Sequence, residues 1–366
     1  YNGAVPRDER GQEVGRARKR FLWNADHDWY EPGQEIRAFD TAIGRIGIVI
    51  CAEARDPELV ATLVADGAEL IAMPTCWINA SRDPGRYENP QVEFLIEARA
   101  REFGVPFVCA DKCGFELAPV GYVGMSRIVR ADGTLAAEAP PTGETVIAAR
   151  LVVRRPRRVW ISERRRAQLA SEPVRPPATS QRIKVAAMPT SVANARYQGG
   201  MGHSLFEPLQ KAGVNVLLVD MPQEAQGEQL AMLANAFDLR AVAFPIEPNV
   251  FTCGPAKVGV VSGQWVRTFA ASRALALQGA QILMYFDAVD DLPMLCTRAL
   301  ENRVFVMASG ERSAVIIDPS GNVLARTNPG QLAEVIAEID LADAANKQIA
   351  PRTDIFEERR PALYRY

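Results

Sequence analysis

Residues 45–58 read RIGIVICAEARDPE, an apolar run that ends on a thiol and then meets four charges. Ile46, Ile48, Val49 and Ile50, entered through Gly44 and Arg45, have the composition of a strand buried on both faces. Glu53, Arg55, Asp56 and Glu58 mark where that strand leaves the core. A thiol at a strand's mouth, beside a carboxylate and a guanidinium, stands where its thiolate fraction can be tuned. Cys51 is therefore a candidate nucleophile. The competing reading is a small buried hydrophobe, as many cysteines are.

Working outward, an amphipathic helix is expected over about 57–66 and a strand at Leu70–Pro74. A second helix follows over about 90–103, then a strand at PFVCA (106–110) and a hairpin around Asp132-Gly133. Strands alternating with helical periods and closing on a hairpin indicate a layered α/β fold. The same series recurs downstream. GRIGIVIC (44–51) matches AKVGVVSG (256–263), and DGAELIAMP (66–74) matches QGAQILMYF (278–286). RAREFGVPFV (99–108) matches RALENRVFV (298–306), and RIVRADGTLAAE (127–138) matches AVIIDPSGNVLAR (314–326). Four collinear matches read as an internal duplication. The stretch EPVRPPATSQR (172–182) reads as a linker, so the expected domains are 1–171 and 183–366.

Composition narrows the function. A net charge of −2 gives no reason to expect nucleic acid or an anionic membrane as partner. The basic run 154–166 is the local exception and reads as a surface helix or interface. No apolar stretch is long enough to span a bilayer, and no secretory signal is visible. Six cysteines without CxxC pairing fit reduced thiols in a cytoplasmic protein. With His27 and His203 the only histidines, a multi-histidine metal site is excluded. Neither a metal nor a cofactor is expected.

The motif order resembles the carbon-nitrogen hydrolase (nitrilase/amidase) superfamily. The carriers are Arg18-Lys19, Glu31-Pro32-Gly33, Cys51-Ala52-Glu53-Ala54-Arg55, Pro74-Thr75-Cys76-Trp77, Arg99-Ala100-Arg101-Glu102 and Arg130-Ala131-Asp132-Gly133. The resemblance implies an αββα sandwich of the nitrilase type, here as a tandem pseudo-dimer, with Glu-Lys-Cys chemistry. It implies Cys51 as nucleophile, Lys19 as catalytic lysine and Asp26 as a supporting carboxylate. The general-base Glu of the family has no counterpart in residues 1–18, which look like a strand-turn-strand leading into Lys19. With Tyr1 opening the chain in place of Met, that Glu is expected in a preceding segment or a separate chain. In the second copy Gly263 takes the place of Cys51 and Gln223 that of the Glu, with no lysine between Gln223 and Lys257. That copy is expected to be a non-catalytic domain mimicking the partner subunit of the family's dimer.

Amide or nitrile hydrolysis needs a nucleophile, a proton shuttle and a stabiliser of the oxyanion. A buried Lys19 ammonium would favour the Cys51 thiolate and then hold the tetrahedral intermediate. Glu53 has no acidic counterpart in the second copy and is expected to orient the site. Arg55 with Glu58 reads as an ion pair pinning the turn. Trp77 and Trp29 are candidates to line a substrate pocket, and His27 to touch substrate; Cys76 is expected to pack. The expected activity is hydrolysis of a non-peptide carbon-nitrogen bond, amide or carbamoyl, in a small molecule. The alternatives are nitrile hydrolysis and a non-catalytic binding scaffold. The expected assembly is a homo-oligomer or a complex with the missing N-terminal segment.

Overall fold

The computed structural model describes residues 1–366 apart from 84, 117–119, 157–160, 199–206, 220–248, 262–264, 266, 287–288, 329–330 and 332. It divides into two compact units, Tyr1–Ser162 with Gln348–Tyr366, and Glu163–Lys347. These bounds differ from 1–171 and 183–366 at two places. Helix Glu163–Ala170 joins the second unit, where Arg165 is buried and stacks over Trp265. Gln348–Tyr366 joins the first, held there by a buried ion pair between Arg359 and Glu58.

The first unit opens with an antiparallel ribbon, β1 (Gly3–Ala4) on β2 (Ala17–Arg18), as the strand-turn-strand expectation requires. A short helix α1 (Asp26–Trp29) follows. Next come β3 (Phe39–Thr41), β4 (Gly44–Ile48), helix α2 (Pro57–Ala65) and β5 (Leu70–Pro74). Helix α3 (Ile96–Phe103) leads to β6 (Phe107–Ala110) and a side hairpin of β7 (Cys113–Glu116) and β8 (Val120–Val123). β9 (Arg127–Val129) and β10 (Leu135–Glu138) complete a six-stranded sheet ordered β10-β9-β6-β5-β4-β3. Its three central strands are parallel and the outer ones antiparallel. α2 starts where Asp56 caps the Glu58 N–H with Pro57 at the first helical position, an arrangement that satisfies an otherwise orphan donor. α3 ends at Gly104, whose φ of 63° is the left-handed stop that glycine adopts freely.

The second unit begins with α4 (Glu163–Ala170). A three-stranded sheet follows, with β11 (Arg182–Met188) between β12 (Val216–Val219) and β19 (Val335–Asp340), and helices α5 (Thr190–Gln198) and α6 (Glu207–Lys211) intervening. Between β12 and β19 lie β13 (Val250–Cys253), β14 (Ala256–Val261), α7 (Phe269–Leu277), β15 (Ile282–Phe286) and α8 (Leu292–Asn302). β16 (Phe305–Ser309), β17 (Ala314–Ile317) and β18 (Val323–Arg326) finish a sheet ordered β13 to β18. One apolar core, with Val185, Val216 and Ile339 from the small sheet and Ile282, Met307 and Ile316 from the large one, fills the gap between them. A second core joins α5 and α6 to the outer face of the small sheet through Met188, Val192, Leu209 and Leu217. This is helix-sheet-sheet-helix layering within one unit, as expected.

The two six-stranded sheets share strand order and strand direction. Ile46 pairs with Leu70 in the first and Val258 with Ile282 in the second, the same register in the sequence alignment. The next residue is glycine in both, for a steric reason. A Cβ on Gly47 would stand 3.3 Å from the Leu63 Cβ, and one on Gly259 3.1 Å from the Leu275 Cβ. Each glycine lets a helix settle on its sheet. At the position of Gly104 the second unit has Arg303, which takes the left-handed conformation with φ of 49°. Among the described residues the first unit shows the helical layer and large sheet, with two-stranded ribbons beside them. Residues 262–264 and Gln223 lie outside the described residues.

Candidate active site

The β4 chain continues past Ile48 to Cys51, where the backbone turns sharply. Cys51 has a φ of 51°, rare for a residue with a Cβ, and opens a 3-10 turn, Cys51–Arg55. What holds this turn is Glu53. Its carboxylate is fully buried and accepts the N–H of Ile50 at 2.7 Å, just ahead of the thiol. It also accepts the N–H of Arg20 at 2.6 Å and both ends of the Arg20 guanidinium at 2.9 and 2.7 Å. Arg20 follows Lys19 directly, so one carboxylate ties the Cys51 turn to the residue after Lys19. From the other side, Arg99 on α3 donates to the carbonyls of Ala54 and Arg55.

Lys19 is 3% exposed and its Nζ lies 2.5 Å from Asp26 Oδ2. Asp26 is oriented by the Trp23 N–H at 3.0 Å and the Asn2 amide at 3.3 Å. The lysine backbone is pinned on both edges, its N–H donating to Asn2 O and its carbonyl accepting from Gly33, each at 2.8 Å. That second contact explains the Pro-Gly loop. A Cβ on Gly33 would meet the Arg18 carbonyl at 2.4 Å, so only glycine permits the approach. Burial alone would lower the Lys19 ammonium's pKa, but the Cys51 thiolate and Asp26 together outweigh it and raise it. The Cys51 thiol is drawn down to about 5 by a hydrogen bond from Cys76, with the Lys19 charge and Thr75 adding to it against the cost of burial.

Trp77 is 1% exposed and belongs to the core, where a pocket-lining residue was expected. With its amide turned to satisfy both ends, Gln91 accepts the Trp77 indole N–H at 2.9 Å and donates to the Cys51 carbonyl at 3.0 Å. Trp77 therefore stands one side chain behind Cys51. Trp29, at 78% exposure on α1, is in solvent. His27 faces Glu358 of the closing segment, Nε2 to Oε1 at 3.2 Å. Glu58 is engaged by Arg359, 301 residues on, through two contacts of 2.6 and 2.8 Å, and Arg55 lies over the Trp23 ring.

Asp111 and Gln91 escaped the sequence reading, and Cys76 departs from it. Cys76 is exposed, not packed, and its carbonyl oxygen lies 3.9 Å from Cys51 Sγ. Asp111, at the mouth of β6, accepts the N–H groups of Trp77 at 2.7 Å and Gly124 at 2.8 Å. Burial lifts its carboxyl to about 6 against those hydrogen bonds, and the Cys51 charge pushes the same way. A carboxylate directly after the apolar strand PFVCA is the signal that singled out Cys51, and it marks Asp111 equally. Gln91 was legible only as a polar residue after the Asn89-Pro90 start of the helix, where Asn89 caps its N–H. Among the described residues, no group of acidic, thiol and imidazole side chains could hold a metal ion. Nor is any helix long and apolar enough to cross a membrane.

Residues 1–158 and 209–348 match the family model described as carbon-nitrogen hydrolase. The chain is 26% identical over 148 residues to a probable nitrilase of Schizosaccharomyces pombe, covering 40% of this chain and 52% of that one. It is 25% identical over 175 residues to an N-carbamoylputrescine amidase of Arabidopsis thaliana, covering 44% and 58%. The chain thus spans about half the length of these curated relatives. A solved carbon-nitrogen hydrolase from Helicobacter pylori aligns at 24% identity, with a TM-score of 0.37 and coverage of 39% and 54%.

Proposed function

The chain belongs to the carbon-nitrogen hydrolase family, and we propose that its first unit hydrolyses a small-molecule amide or carbamoyl group through a thioester on Cys51. The observation that carries this reading is the placement of the thiol: Cys51 opens the turn after β4 with a φ of 51°, and Glu53 ties that turn to Arg20, next to the buried Lys19. In keeping with it, the Cys51 thiol is drawn down, chiefly by Cys76 and further by Lys19, and the Lys19 ammonium is raised. In the proposed reaction the thiolate attacks the carbonyl carbon, and Lys19 faces the oxyanion that forms. A fixed cation in a site with little water is worth several kcal/mol there. Collapse expels the amine and leaves the acyl group on Cys51, and water then releases the acid.

The carboxylates around the thiol already have tasks. Asp26 holds Lys19, Glu53 holds the turn, and Asp111 spends both oxygens on backbone N–H groups. We therefore assign the base for water and leaving amine to a carboxylate outside this set, in keeping with the Glu expected ahead of Lys19. The second unit, with Gly263 aligned on Cys51, is assigned no step, and the shared sheet topology supports its origin by duplication.

The test is ammonia release from a panel of primary amides, N-carbamoyl amines and nitriles. Turnover of the first two classes, lost in Cys51→Ala and greatly reduced in Lys19→Met, is expected. Turnover that survives Cys51→Ala rejects the mechanism, and turnover confined to nitriles rejects the substrate class.

A further inference from the structure

Cys76 is the one cysteine of the six, among the described residues, that is exposed outright, and its carbonyl lies next to the thiol proposed as nucleophile. It sits on the short stretch between β5 and Ile78, which bridges to Tyr122 on β8. The backbone on either side is fastened. Thr75 N–H donates to Ala110 O at 2.9 Å and Trp77 N–H to Asp111 at 2.7 Å. Cys51 Sγ lies 3.9 Å from the Cys76 carbonyl oxygen, which brings the two residues side by side. Cys51 is itself partly exposed, so a small oxidant reaches both sulfurs. The other four are placed differently: Cys109, Cys253 and Cys296 are buried, and Cys113 Sγ lies 3.6 Å from Gly143 O.

We propose that Cys51 and Cys76 form a reversible disulfide, driven by peroxide, that locks the active-site thiol. As regulation of that site the proposal rests on the hydrolase reading; the sulfur chemistry rests on the placement of the two residues. In the first step the Cys51 thiolate attacks one oxygen of hydrogen peroxide. An S–O bond forms, the O–O bond breaks, and the departing hydroxide takes a proton to become water. Cys51 is now a sulfenic acid. In the second step Cys76 sulfur attacks Cys51 sulfur, the S–S bond forms, the S–O bond breaks, and hydroxide leaves with the Cys76 proton as a second water. Two thiols are oxidised by two electrons and one peroxide is reduced by two.

The order of events follows from the charges. In the reduced site the neighbouring Cys51 thiolate holds the Cys76 thiol far above its ordinary range. Oxidation of Cys51 removes that negative charge while the Lys19 ammonium stays. Cys76 then loses the largest of the influences that raise its pKa and keeps the Lys19 charge that lowers it, so the first step favours the second. A neighbour that attacks quickly also protects Cys51 from irreversible oxidation to the sulfinic acid.

The test is titration of the reduced chain with hydrogen peroxide, followed by peptide mapping and intact mass in wild type, Cys76→Ser and Cys51→Ser. In wild type a Cys51–Cys76 cross-link with loss of two hydrogens is expected, together with loss of ammonia release, both restored by dithiothreitol. Cys76→Ser should instead gain two oxygens on Cys51 and not recover. Oxidation of wild-type Cys51 to the sulfinic acid as fast as in Cys76→Ser, with no cross-link, overturns the proposal. So does a cross-linked protein that still turns over substrate. A reduced wild type inactive on the whole panel rejects the hydrolase reading and the regulatory part with it, while the map still decides the sulfur chemistry. Cross-linking in Cys51→Ser between Cys76 and another thiol, at the wild-type rate, also counts against the pair.

Discussion

Replacing Glu53 with Gln should unfasten the first unit where the Cys51 turn meets Arg20, and the size of the effect follows from four hydrogen bonds. One carboxylate oxygen accepts the Arg20 N–H and Nε, and the other accepts the Ile50 N–H and Arg20 Nη2. An amide keeps one of these oxygens and puts an NH2 where the other was. Whichever way it turns, one buried backbone N–H and one guanidinium N–H then face a donor. Arg20 is 2% exposed, so its charge loses its carboxylate without gaining water. Removing one partner of a buried pair costs about 3–5 kcal/mol, a large share of the ~5–15 kcal/mol that holds a domain folded. Two units make a single unfolding free energy ill defined, so the assay must report on the first unit alone. Cys109 serves that purpose, since it is buried on β6 and its thiol is pushed up to about 12 by burial. Pulsed alkylation of Cys109 across a urea series reads the opening of this unit. Glu53→Gln should shift that transition by about 3–5 kcal/mol, and Arg20→Met combined with it should cost less than the two added separately. A shift below ~1 kcal/mol, the range of ordinary surface changes, would refute the assignment of Glu53 as the tie between the two strands.

Two further expectations concern the thiol and the closing segment. Alkylation of Cys51 by iodoacetamide should be flat around neutrality and fall only as pH drops through about 5, because protonation there removes the thiolate. Lys19→Met should move that inflection upward; an inflection near the ordinary thiol value of about 8.5 in wild type contradicts the site's electrostatics. Arg359→Met strips the guanidinium from Glu58, a fully buried carboxylate in the first turn of α2, and should destabilise the first unit by about 3–5 kcal/mol in the same Cys109 assay. An unchanged transition would mean that Gln348–Tyr366 is not part of this unit's core.

Much of the fold was legible because it is written in local periods. The strand ending at Cys51, the two helices and the paired series of matches all rest on apolar spacing, and the structure returns them with the same register in both units. The site was legible only as a pair of points. Lys19 and Cys51 came from motif order, but nothing local says that Glu53 turns inward to Arg20 or that Glu58 meets Arg359. Those contacts span 33 and 301 residues. The basic run 154–166 shows the same limit, since Arg165 ends buried over Trp265 and not on a solvated face. Trp77 failed for a related reason: a large aromatic at a strand end is read equally as pocket or core, and its partner Gln91 decides.

The comparison of the two units separates what the sheet needs from what the chemistry needs. Gly47 and Gly259 recur because a helix must pack at that point on either sheet, whatever the function. Gly33 has a different origin, since its missing side chain makes room for the Arg18 carbonyl and so seats the lysine strand. Gly263 is the residue of the second unit aligned in sequence with Cys51, and a φ of 51° is one that glycine adopts without strain. In the first unit a residue with a Cβ takes that conformation and is held there by Glu53, Arg99 and Gln91 acting on the backbone around it. Strain kept where the fold would accept a relaxed residue is accounted for by what the side chain does. That is the arrangement expected if Cys51 acts through its sulfur, as proposed.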